Sequence, residues 1–334
     1  MGVVPDFPAH DVVVVGASAG GVEALRNLVA SLPADYAGAI FVVLHVPSIS
    51  PSVLPGILSR RGPLPAEHAV DGEPVTGGRI YVAPPDHHLL VDEGVVRVER
   101  GPRENGHRPA IDPLFRSAAS TCGPRAIGII LSGLLDDGAA GLEAVTAAGG
   151  VAVVQDPEDA LYPMMPESAL AAVGPAAIVL PAAKMGQTLG ELAGRPLDGA
   201  PTAGAAEPFD EPGGQPHSGR PSPYGCPECG GVLWELDDEG TRFRCRTGHA
   251  YSIETLLSEQ GRVLETALWT ALRALEEQSA TAHRVASRLA HRGERRAAMR
   301  FEERASRAAE QANVVRETLE LVGAVESPET EMRP

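Results

Sequence analysis

The sequence predicts an α/β protein with a doubly wound, mostly parallel sheet, followed by a small metal-binding module and a helical tail. Three observations support this prediction. Apolar runs that suit buried strands alternate with helical patterns up to about residue 192. Proline- and glycine-rich sequence comes next, and three of the four cysteines follow it closely. The residues after them are rich in Ala, Glu, Arg and Leu, with apolar positions at helical spacing.

Within residues 11–192, each predicted strand is a short run of β-branched or other apolar residues. The predicted strands are Val12–Val15, Ala39–His45, Arg79–Val82, Ala126–Ser132, Val151–Gln155 and Ala176–Leu180. The predicted helices are Gly21–Ser31, Pro51–Arg60, Pro113–Thr121, Ala139–Ala148 and Glu167–Val173. In a doubly wound sheet, the ligand site lies beyond the carboxyl ends of the strands. Functional residues are therefore expected at those ends.

The rest of the chain divides into three predicted segments. Residues 195–223 hold seven prolines and five glycines with almost no large apolar side chain, which is typical of a flexible linker. Residues 224–252 contain the clustered cysteines, and we name them the cysteine module. Residues 253–322 predict a helical hairpin or a coiled coil, with a break at Arg292-Gly293. Its apolar face carries Leu257, Val263, Leu264, Leu268, Leu272 and Leu275.

Charge and hydropathy exclude several classes of function. The 334 residues include 28 basic and 44 acidic side chains, for a net charge of −16, which argues against a nucleic-acid partner. The N-terminal residues lack the basic and apolar regions of a signal peptide. The longest apolar run, residues 169–183, is broken by Gly174, Pro175 and Pro181, so we expect no membrane insertion. The sequence therefore predicts a cytoplasmic protein.

The stretch VVVVGASAGGVEAL, residues 12–25, predicts a strand, a tight turn and a helix. It suits either a phosphate-binding loop or a turn that exposes a nucleophilic serine, Ser18. The loop lacks the lysine of a P-loop, and the next strand ends in His45 rather than in the acidic residue that a dinucleotide site needs. The serine alternative is therefore favoured, although Ser18 also suits a simple helix N-cap.

A serine hydroxyl becomes a good nucleophile only beside a base and an orienting acid. His45 stands at the end of the strand that follows Ser18 in sequence, and Asp136-Asp137-Gly138 follows the strand at residues 126–132. Asp137 is the candidate acid. The order Ser–His–Asp along the chain differs from the Ser–Asp–His order of α/β-hydrolases, so the same chemistry is expected on another fold.

Six motifs in residues 11–192 resemble the catalytic domain of the chemotaxis-receptor methylesterases, the CheB family. They are GASAGGVEAL, LHVPSISPSVLPGIL, GRIYVAPPDHHLLV, HRPAIDPLFRSAA, LSGLLDDGAAGL and QDPEDALYPMMPESAL. The resemblance implies a carboxylic ester hydrolase that removes methyl groups from glutamyl esters of chemoreceptor-type proteins, with glutamine deamidation as a second activity of many members. It assigns Ser18 as nucleophile, His45 as base and Asp137 as acid, without a catalytic cofactor.

The resemblance also shows departures from the family pattern. Ala19 stands where a threonine is usual, and Leu134-Leu135 replaces a methionine–glycine pair, although leucine takes a positive φ less readily than glycine. We predict that the backbone N–H groups of Ala19 and Leu134 bind the oxyanion. The best-known members carry a phospho-receiver domain before the catalytic domain. Because the first strand begins by residue 12, the sequence predicts no such domain here.

The cysteine module has metal-ligand spacing. Cys226, Cys229, Cys245 and His249 follow the pattern C-x2-C-x15-C-x3-H, which supplies two pairs of ligands for a tetrahedral zinc ion. A redox C-x2-C pair is the alternative, but it does not need Cys245 and His249. With all four positions filled by protein, the zinc is expected to be structural. Two short strands, VLWEL and TRFRC, predict a zinc ribbon.

Two alternatives to the methylesterase function remain open at this point. A non-catalytic signalling or scaffold protein on the same fold is one, and a serine esterase for another substrate is the other. The expected partner is a methylated chemoreceptor or a similar helical signalling protein. The apolar face of the helical tail also suits self-association or packing within its own hairpin.

Overall fold

The computed structural model describes residues 10–46, 52–193 and 219–325. The strands are β1 (Val12–Ala17), β2 (Ala39–Leu44), β3 (Ala66–His68), β4 (Arg79–Val82), β5 (His88–Asp92), β6 (Val95–Glu99), β7 (Ala126–Ile130), β8 (Val151–Gln155), β9 (Ile178–Leu180), β10 (Arg220–Gly225), β11 (Val232–Glu235), β12 (Arg242–Cys245) and β13 (Ala250–Ser252). The helices are α1 (Gly21–Ala30), α2 (Leu54–Arg61), α3 (Ile111–Cys122), α4 (Ala139–Ala147), α5 (Met164–Val173), α6 (Ala182–Ala193), α7 (Ile253–His291) and α8 (Arg295–Val325).

Seven parallel strands form the large sheet, in the order β3-β4-β2-β1-β7-β8-β9. Successive side chains of a strand point to opposite faces, so the valines of β1 divide between two apolar cores. Val12 and Val14 face the core with α3, α4 and α5, while Val13 and Val15 face the core with α1, α2 and α6. A continuous β-branched run thus marks a strand that is buried on both sides. This confirms the predicted doubly wound fold.

The centre of the sheet positions the functional residues. Strand β1 lies between β2 and β7, so the chain leaves β1 toward one side of the sheet and later returns to its other side. This reversal is the topological switch point, where a crevice opens at the carboxyl ends of the strands. Ser18, His45 and Asp137 follow β1, β2 and β7 respectively. The three predicted functional residues therefore start from three adjacent strand ends.

The predicted strands and helices within 11–192 are found with small shifts at their ends. The last strand begins at Ile178 rather than at Ala176, because residues 174–176 form a 3-10 turn. The prediction omitted the edge strand β3, helix α6, and the antiparallel hairpin of β5 and β6. That hairpin lies outside the large sheet, and its turn places Glu93 at φ 40° and Gly94 at φ 83°.

The cysteine module is a four-stranded antiparallel sheet, β10-β11-β12-β13. It contains the two predicted strands and adds one on each side. Strand β10 begins at Arg220, so residues 220–223 of the predicted linker belong to a strand, and Arg220 and Pro221 pair with β11. The rest of the predicted linker up to residue 218 lies outside the described residues. The module packs in the same unit as the large sheet, which extends to Leu256.

A second unit begins at Leu257 and contains most of α7 and all of α8. The turn between the two helices falls at residues 292–294, as the Arg292-Gly293 break predicted. Leu268, Leu272 and Leu275 from the predicted apolar face pack against Ala312, Val315 and Leu319 of α8. Leu257, Val263 and Leu264 remain exposed. The tail is therefore a helical pair. Over the described ranges, no helix combines the length and the apolar character that crossing a bilayer requires.

Candidate active site and metal site

The side chains of Ser18, His45 and Asp137 form one hydrogen-bonded chain at the switch point. His45 Nδ1 lies 3.2 Å from Ser18 Oγ, and His45 Nε2 lies 2.8 Å from Asp137 Oδ2. With the proton on Nε2, the imidazole donates to Asp137 and accepts the serine proton at Nδ1. The His45 and Asp137 side chains are only 7% and 3% exposed, so this chain is largely shielded from water.

The turn after β1 holds Ser18 in front of His45. The Ser18 N–H donates to the Ser132 carbonyl at 3.0 Å, and the His45 N–H donates to the Ala17 carbonyl at 3.1 Å. Gly20 takes the left-handed conformation, with φ 73°, that starts α1. A Cβ atom there would lie 2.6 Å from Ser132 Oγ, so only glycine fits the position. The sharp bend thus falls two residues after Ser18.

Four donors surround the Asp137 carboxylate. His45 Nε2–H and the Ile111 N–H donate to Oδ2, while the Asn105 side-chain amide and the Asp112 N–H donate to Oδ1. Two of these N–H groups belong to the first turn of α3, where the helix dipole also favours negative charge. Burial opposes ionisation, but the hydrogen bond and charge of His45, with the bonds from Ile111 and Asn105, hold the pKa of Asp137 well below its usual range.

Residues 104–107 form a tight turn against this site. The Glu104 and His107 backbones pair with each other, and Asn105 and Gly106 have φ 49° and φ 73°. Two consecutive positive φ values define a type I′ turn, for which Asn-Gly is the preferred sequence. The Asn105 amide donates 2.9 Å to Asp137 and 3.0 Å to Asp112. Burial and the charge of Asp137 raise the pKa of the Asp112 carboxyl.

His107, from the same turn, stacks on the His45 ring. The two ring centroids lie 3.7 Å apart with 13° between the planes. Burial, followed by the charge of His45, lowers the pKa of His107 to about 4; Arg103 acts in the same direction and Asp137 opposes it. His107 is therefore neutral at physiological pH and restricts how the His45 ring can rotate.

The free energy of unfolding is expected to decrease as the pH falls, partly because of His107. Its pKa is about 4 in the folded protein and 6.5 when unperturbed, so between these values the unfolded state binds more protons. The free energy of unfolding must then decrease as the pH falls through this range. We expect His107→Gln to remove about 1–2 kcal/mol of the decrease between pH 7.5 and pH 5. Urea unfolding of both proteins at the two pH values measures this, and parallel pH profiles would contradict it.

The N–H groups predicted to bind an oxyanion lie on two loops near Ser18. Within the described residues, the N–H groups of Ala19 and Leu134 have no protein acceptor, so they are available to a ligand. Leu135 takes φ 61°, a left-handed conformation, although it stands where the family pattern has glycine. A leucine in this region stores about 1–3 kcal/mol of backbone strain.

Asp136, the neighbour of Asp137, points away from His45. Its Oδ1 accepts hydrogen bonds from Ser252 Oγ and Thr255 Oγ1, both at 2.9 Å. Ser252 ends strand β13 and Thr255 lies in the first turn of α7. The two adjacent aspartates thus have separate partners: Asp137 bonds to His45, and Asp136 bonds to the end of the cysteine module and to the start of α7.

The four predicted metal ligands converge at one end of the cysteine module. The distance from Cys229 Sγ to Cys245 Sγ is 3.6 Å, and His249 Nδ1 lies 3.6 Å from Cys226 Sγ and 3.5 Å from Cys245 Sγ. All four ligand atoms lie within 4.8 Å of one another. A tetrahedral zinc ion with bonds of about 2.0–2.3 Å separates its ligands by about 3.5–3.8 Å. The residues present therefore fit zinc.

A further carboxylate lies beside the predicted histidine ligand. His249 Nε2 lies 3.2 Å from Glu228 Oε2, so Nδ1 faces the cysteines. A carboxylate on the second ring nitrogen is the usual support of a metal-binding histidine. Glu228 also pairs with Arg103 at 3.3 Å, next to the turn at residues 104–107.

Sequence reasoning missed Asn105 and His107 as parts of the site. Neither residue was singled out from the sequence. The Asn-Gly pair was the available signal, because it marks a I′ turn. The sequence does not show that this turn packs beside Asp137.

Comparison with known proteins supports the family resemblance that the sequence motifs indicate. The family model CheB methylesterase matches residues 13–189. A protein-glutamate methylesterase/protein-glutamine glutaminase from Rhodospirillum rubrum is 40% identical over 176 residues, covering 52% of this chain and 48% of that protein. A putative enzyme of the same name from Leptospira interrogans is 37% identical over 164 residues, covering 49% of this chain and 85% of that protein.

A solved structure also matches. The crystal structure of the Thermotoga maritima CheB methylesterase catalytic domain superposes with a TM-score of 0.52 at 32% identity, covering 55% of this chain and 99% of that domain. The chain spans about half the length of several curated relatives that it matches. The matched region contains the large sheet and all three residues of the Ser18–His45–Asp137 chain. The chain belongs to the CheB methylesterase family.

Proposed function

We propose that the protein is a protein-glutamate methylesterase that hydrolyses glutamyl methyl esters on a methylated chemoreceptor or a similar helical signalling protein. The observation that supports this is the Ser18–His45–Asp137 hydrogen-bonded chain at the switch point of a CheB methylesterase fold. A reducing compartment keeps the cysteines available as metal ligands, so we place the protein in the cytoplasm.

In the first half of the reaction, Ser18 Oγ attacks the ester carbonyl and His45 Nδ1 takes the hydroxyl proton. Asp137 stabilises the imidazolium through Nε2–H. The tetrahedral intermediate collapses when the bond to the methoxy group breaks, and Nδ1–H gives its proton to the departing methanol. A water molecule then attacks the acyl group with His45 as base, which releases the glutamate side chain and restores Ser18.

We propose that two N–H groups stabilise the charge that develops on the carbonyl oxygen. Ala19 follows the nucleophile directly, and Leu134 follows Gly133 on the adjacent loop. A Cβ atom at Gly133 would lie 2.9 Å from Ser18 Cβ, so the two loops touch at the reacting centre. We assign the oxyanion to the Ala19 and Leu134 N–H groups. Donors fixed in this way are among the largest contributions to catalysis by such enzymes.

An exposed apolar surface beside Ser18 suits a helical protein substrate. Leu134, Leu161, Tyr162 and Met164 are exposed large hydrophobic residues. Their loops are tied to the serine turn: Ser132 Oγ donates to the Ala19 carbonyl, and the Gly133 N–H donates to the Tyr162 carbonyl. Exposed apolar side chains grouped at a site mark a binding surface. We infer a receptor helix whose apolar residues flank the methylated glutamate.

The substitution Leu161→Glu tests this surface. Leu161 is 72% exposed, so the change is expected to leave the fold intact. We expect kcat/KM on a methylated receptor to fall about tenfold, because burying one leucine contributes roughly 1.5–3 kcal/mol. The rate on a small ester should stay unchanged. Val70→Glu is the matched control, since Val70 is exposed on the loop after the edge strand β3. Equal effects of both variants would contradict the assigned surface.

The cysteine module is proposed to hold one structural zinc through Cys226, Cys229, Cys245 and His249. When bound, the ion supplies folding energy to a module whose apolar cluster contains six buried residues, one of which is Leu256 of α7. Since protein fills all four positions, no place is left for a hydrolytic water.

Elemental analysis of the purified chain is expected to give one zinc per molecule. Cys226→Ser should lower this value and make residues 220–252 susceptible to proteolysis, because the module loses a ligand. Cys122→Ser is the control, since Cys122 is buried among residues of the large sheet. A zinc content that Cys226→Ser leaves unchanged would contradict the assignment.

Methanol release from a methylated receptor fragment, measured with the full chain, tests the proposed activity. Ammonia release from the unmethylated fragment tests the glutaminase activity that relatives' names include. Hydrolysis of a small ester without methanol release from the receptor would show a serine esterase for another substrate. Absence of both reactions would favour a non-catalytic signalling protein.

A further inference from the structure

Asn105 makes four hydrogen bonds, which connect Asp137 and Asp112 to the cysteine module. Its side-chain amide donates to Asp137 and to Asp112. Its side-chain carbonyl accepts the Ser252 N–H at 3.0 Å, and its own N–H donates to the Ala250 carbonyl at 2.8 Å. Both partners on the module side are backbone groups of strand β13. Asn105 is 5% exposed, so water does not replace these bonds easily.

The strand β13 continues as part of the metal site. Ala250 follows the ligand His249 directly, and the Cys245 N–H donates to the His249 carbonyl. The Ala250 N–H donates to the Arg103 carbonyl, so both backbone groups of Ala250 bond to residues 103–105. Any shift of His249 therefore moves the backbone that holds Asn105.

Two ion pairs join the module to the same turn. Arg103 pairs with Glu228, which in turn contacts His249. Glu104 lies between Arg116 of α3, at 2.7 Å, and Arg244 of β12, at 3.6 Å. The residues before and within the turn are thus fixed to the module by charge as well as by backbone pairing.

We infer that Asn105 is a positioning residue for Asp137, and that the metal-bound cysteine module keeps Asn105 in place. This inference rests on the proposed esterase activity. Removal of the metal frees β13, releases two of the four bonds of Asn105, and leaves Asp137 with a less fixed orientation toward His45. The module thereby makes ester hydrolysis depend on a bound zinc ion that never touches the substrate.

Asn105→Gly is the sharpest test of the first link. Glycine keeps the positive φ of a I′ turn, so the variant removes the side chain and retains the backbone pairing. We expect kcat to fall about 10- to 100-fold with KM within about twofold, the effect of losing one hydrogen bond to a charged group. Zinc content should remain at the wild-type value. Unchanged kcat would overturn the inference.

Chelation tests the second link on the full wild-type chain. A chromophoric chelator measures zinc release, and the low-field proton resonance of His45 Nε2–H reports its bond to Asp137. We expect zinc release to weaken or shift this resonance and to lower kcat by a factor similar to that of Asn105→Gly. In Asn105→Gly itself, zinc release should lower kcat by less than about threefold, because this variant already lacks the side chain that connects the cysteine module to Asp137. Independent, multiplicative effects would overturn the coupling.

Thr255→Val is the matched control for docking of the module. The variant removes a hydrogen bond to Asp136 but leaves every bond of Asn105 in place. We expect its kcat to stay within about threefold of the wild-type value.

The rate of Ser18 labelling by a fluorophosphonate provides a second readout that needs no ester substrate. Normal labelling without receptor hydrolysis would contradict the proposed substrate, whereas labelling unaffected by both Asn105→Gly and zinc release would overturn the inference.

Discussion

Replacing Ser18 with alanine is expected to lower kcat for ester hydrolysis by about six orders of magnitude, the loss seen when a serine protease loses its nucleophile. Alanine leaves no atom that can form the acyl intermediate, while His45 and Asp137 remain in place. Methanol release from a methylated receptor fragment measures the loss. Labelling by a fluorophosphonate should disappear together with hydrolysis.

The fold is expected to survive this change. The only hydrogen bond of the Ser18 side chain in the described structure is the one to His45, and the backbone bonds of the turn do not involve it. Thermal unfolding should therefore show a transition close to that of the wild type. Hydrolysis at more than about one per cent of the wild-type rate would assign the nucleophile to another residue.

Asp137→Asn is expected to lower kcat by about 10⁴-fold, as in the serine proteases. The asparagine amide would direct a donor at His45 Nε2 and hold the ring proton on Nδ1, where the base must accept the Ser18 proton. His45 then stays close to its position but has the wrong tautomer. Steady-state kinetics on a small ester measure this effect without the receptor.

Asp136→Asn is the matched control for the acid. Its Oδ1 accepts the hydroxyl groups of Ser252 and Thr255, and an asparagine oxygen accepts them equally well. We expect a change of less than about threefold in kcat. Equal losses at positions 136 and 137 would show that the contacts seen in the structure do not decide which aspartate orients His45.

The central strands and the three residues that follow them were predictable from the sequence. Parallel strands leave their carboxyl ends at one edge, so a serine, a histidine and an aspartate placed just after three such strands are brought to the same crevice. The continuous valines of β1 identify a strand buried on both faces. The positions of these residues were predictable because each strand that they follow was recognisable from its own local sequence.

The support around Asp137 was not predictable in the same way. The Asn-Gly pair indicates a turn, but its contact with β13 joins residues 147 positions apart in the sequence. No local pattern specifies such a pairing. Likewise, the sequence shows only that the cysteine module follows a proline- and glycine-rich segment, and it does not show that the module packs in the unit that contains the large sheet. Composition indicates the order of segments along the chain and not their contacts.

The hydrogen bond from Ser252 to Asn105 also sets an order of assembly during synthesis. A ribosome adds about 5–20 residues per second, so Ser252 is made roughly 7–30 s after Asn105, which it follows by 147 positions. All seven strands of the parallel sheet precede β13 in the chain. A nascent chain can thus complete its sheet, and bring Ser18, His45 and Asp137 together, before the backbone that holds Asn105 exists. The fixing of Asp137 through Asn105 is therefore a late step in the synthesis of the first unit, and it follows the assembly of the parallel sheet.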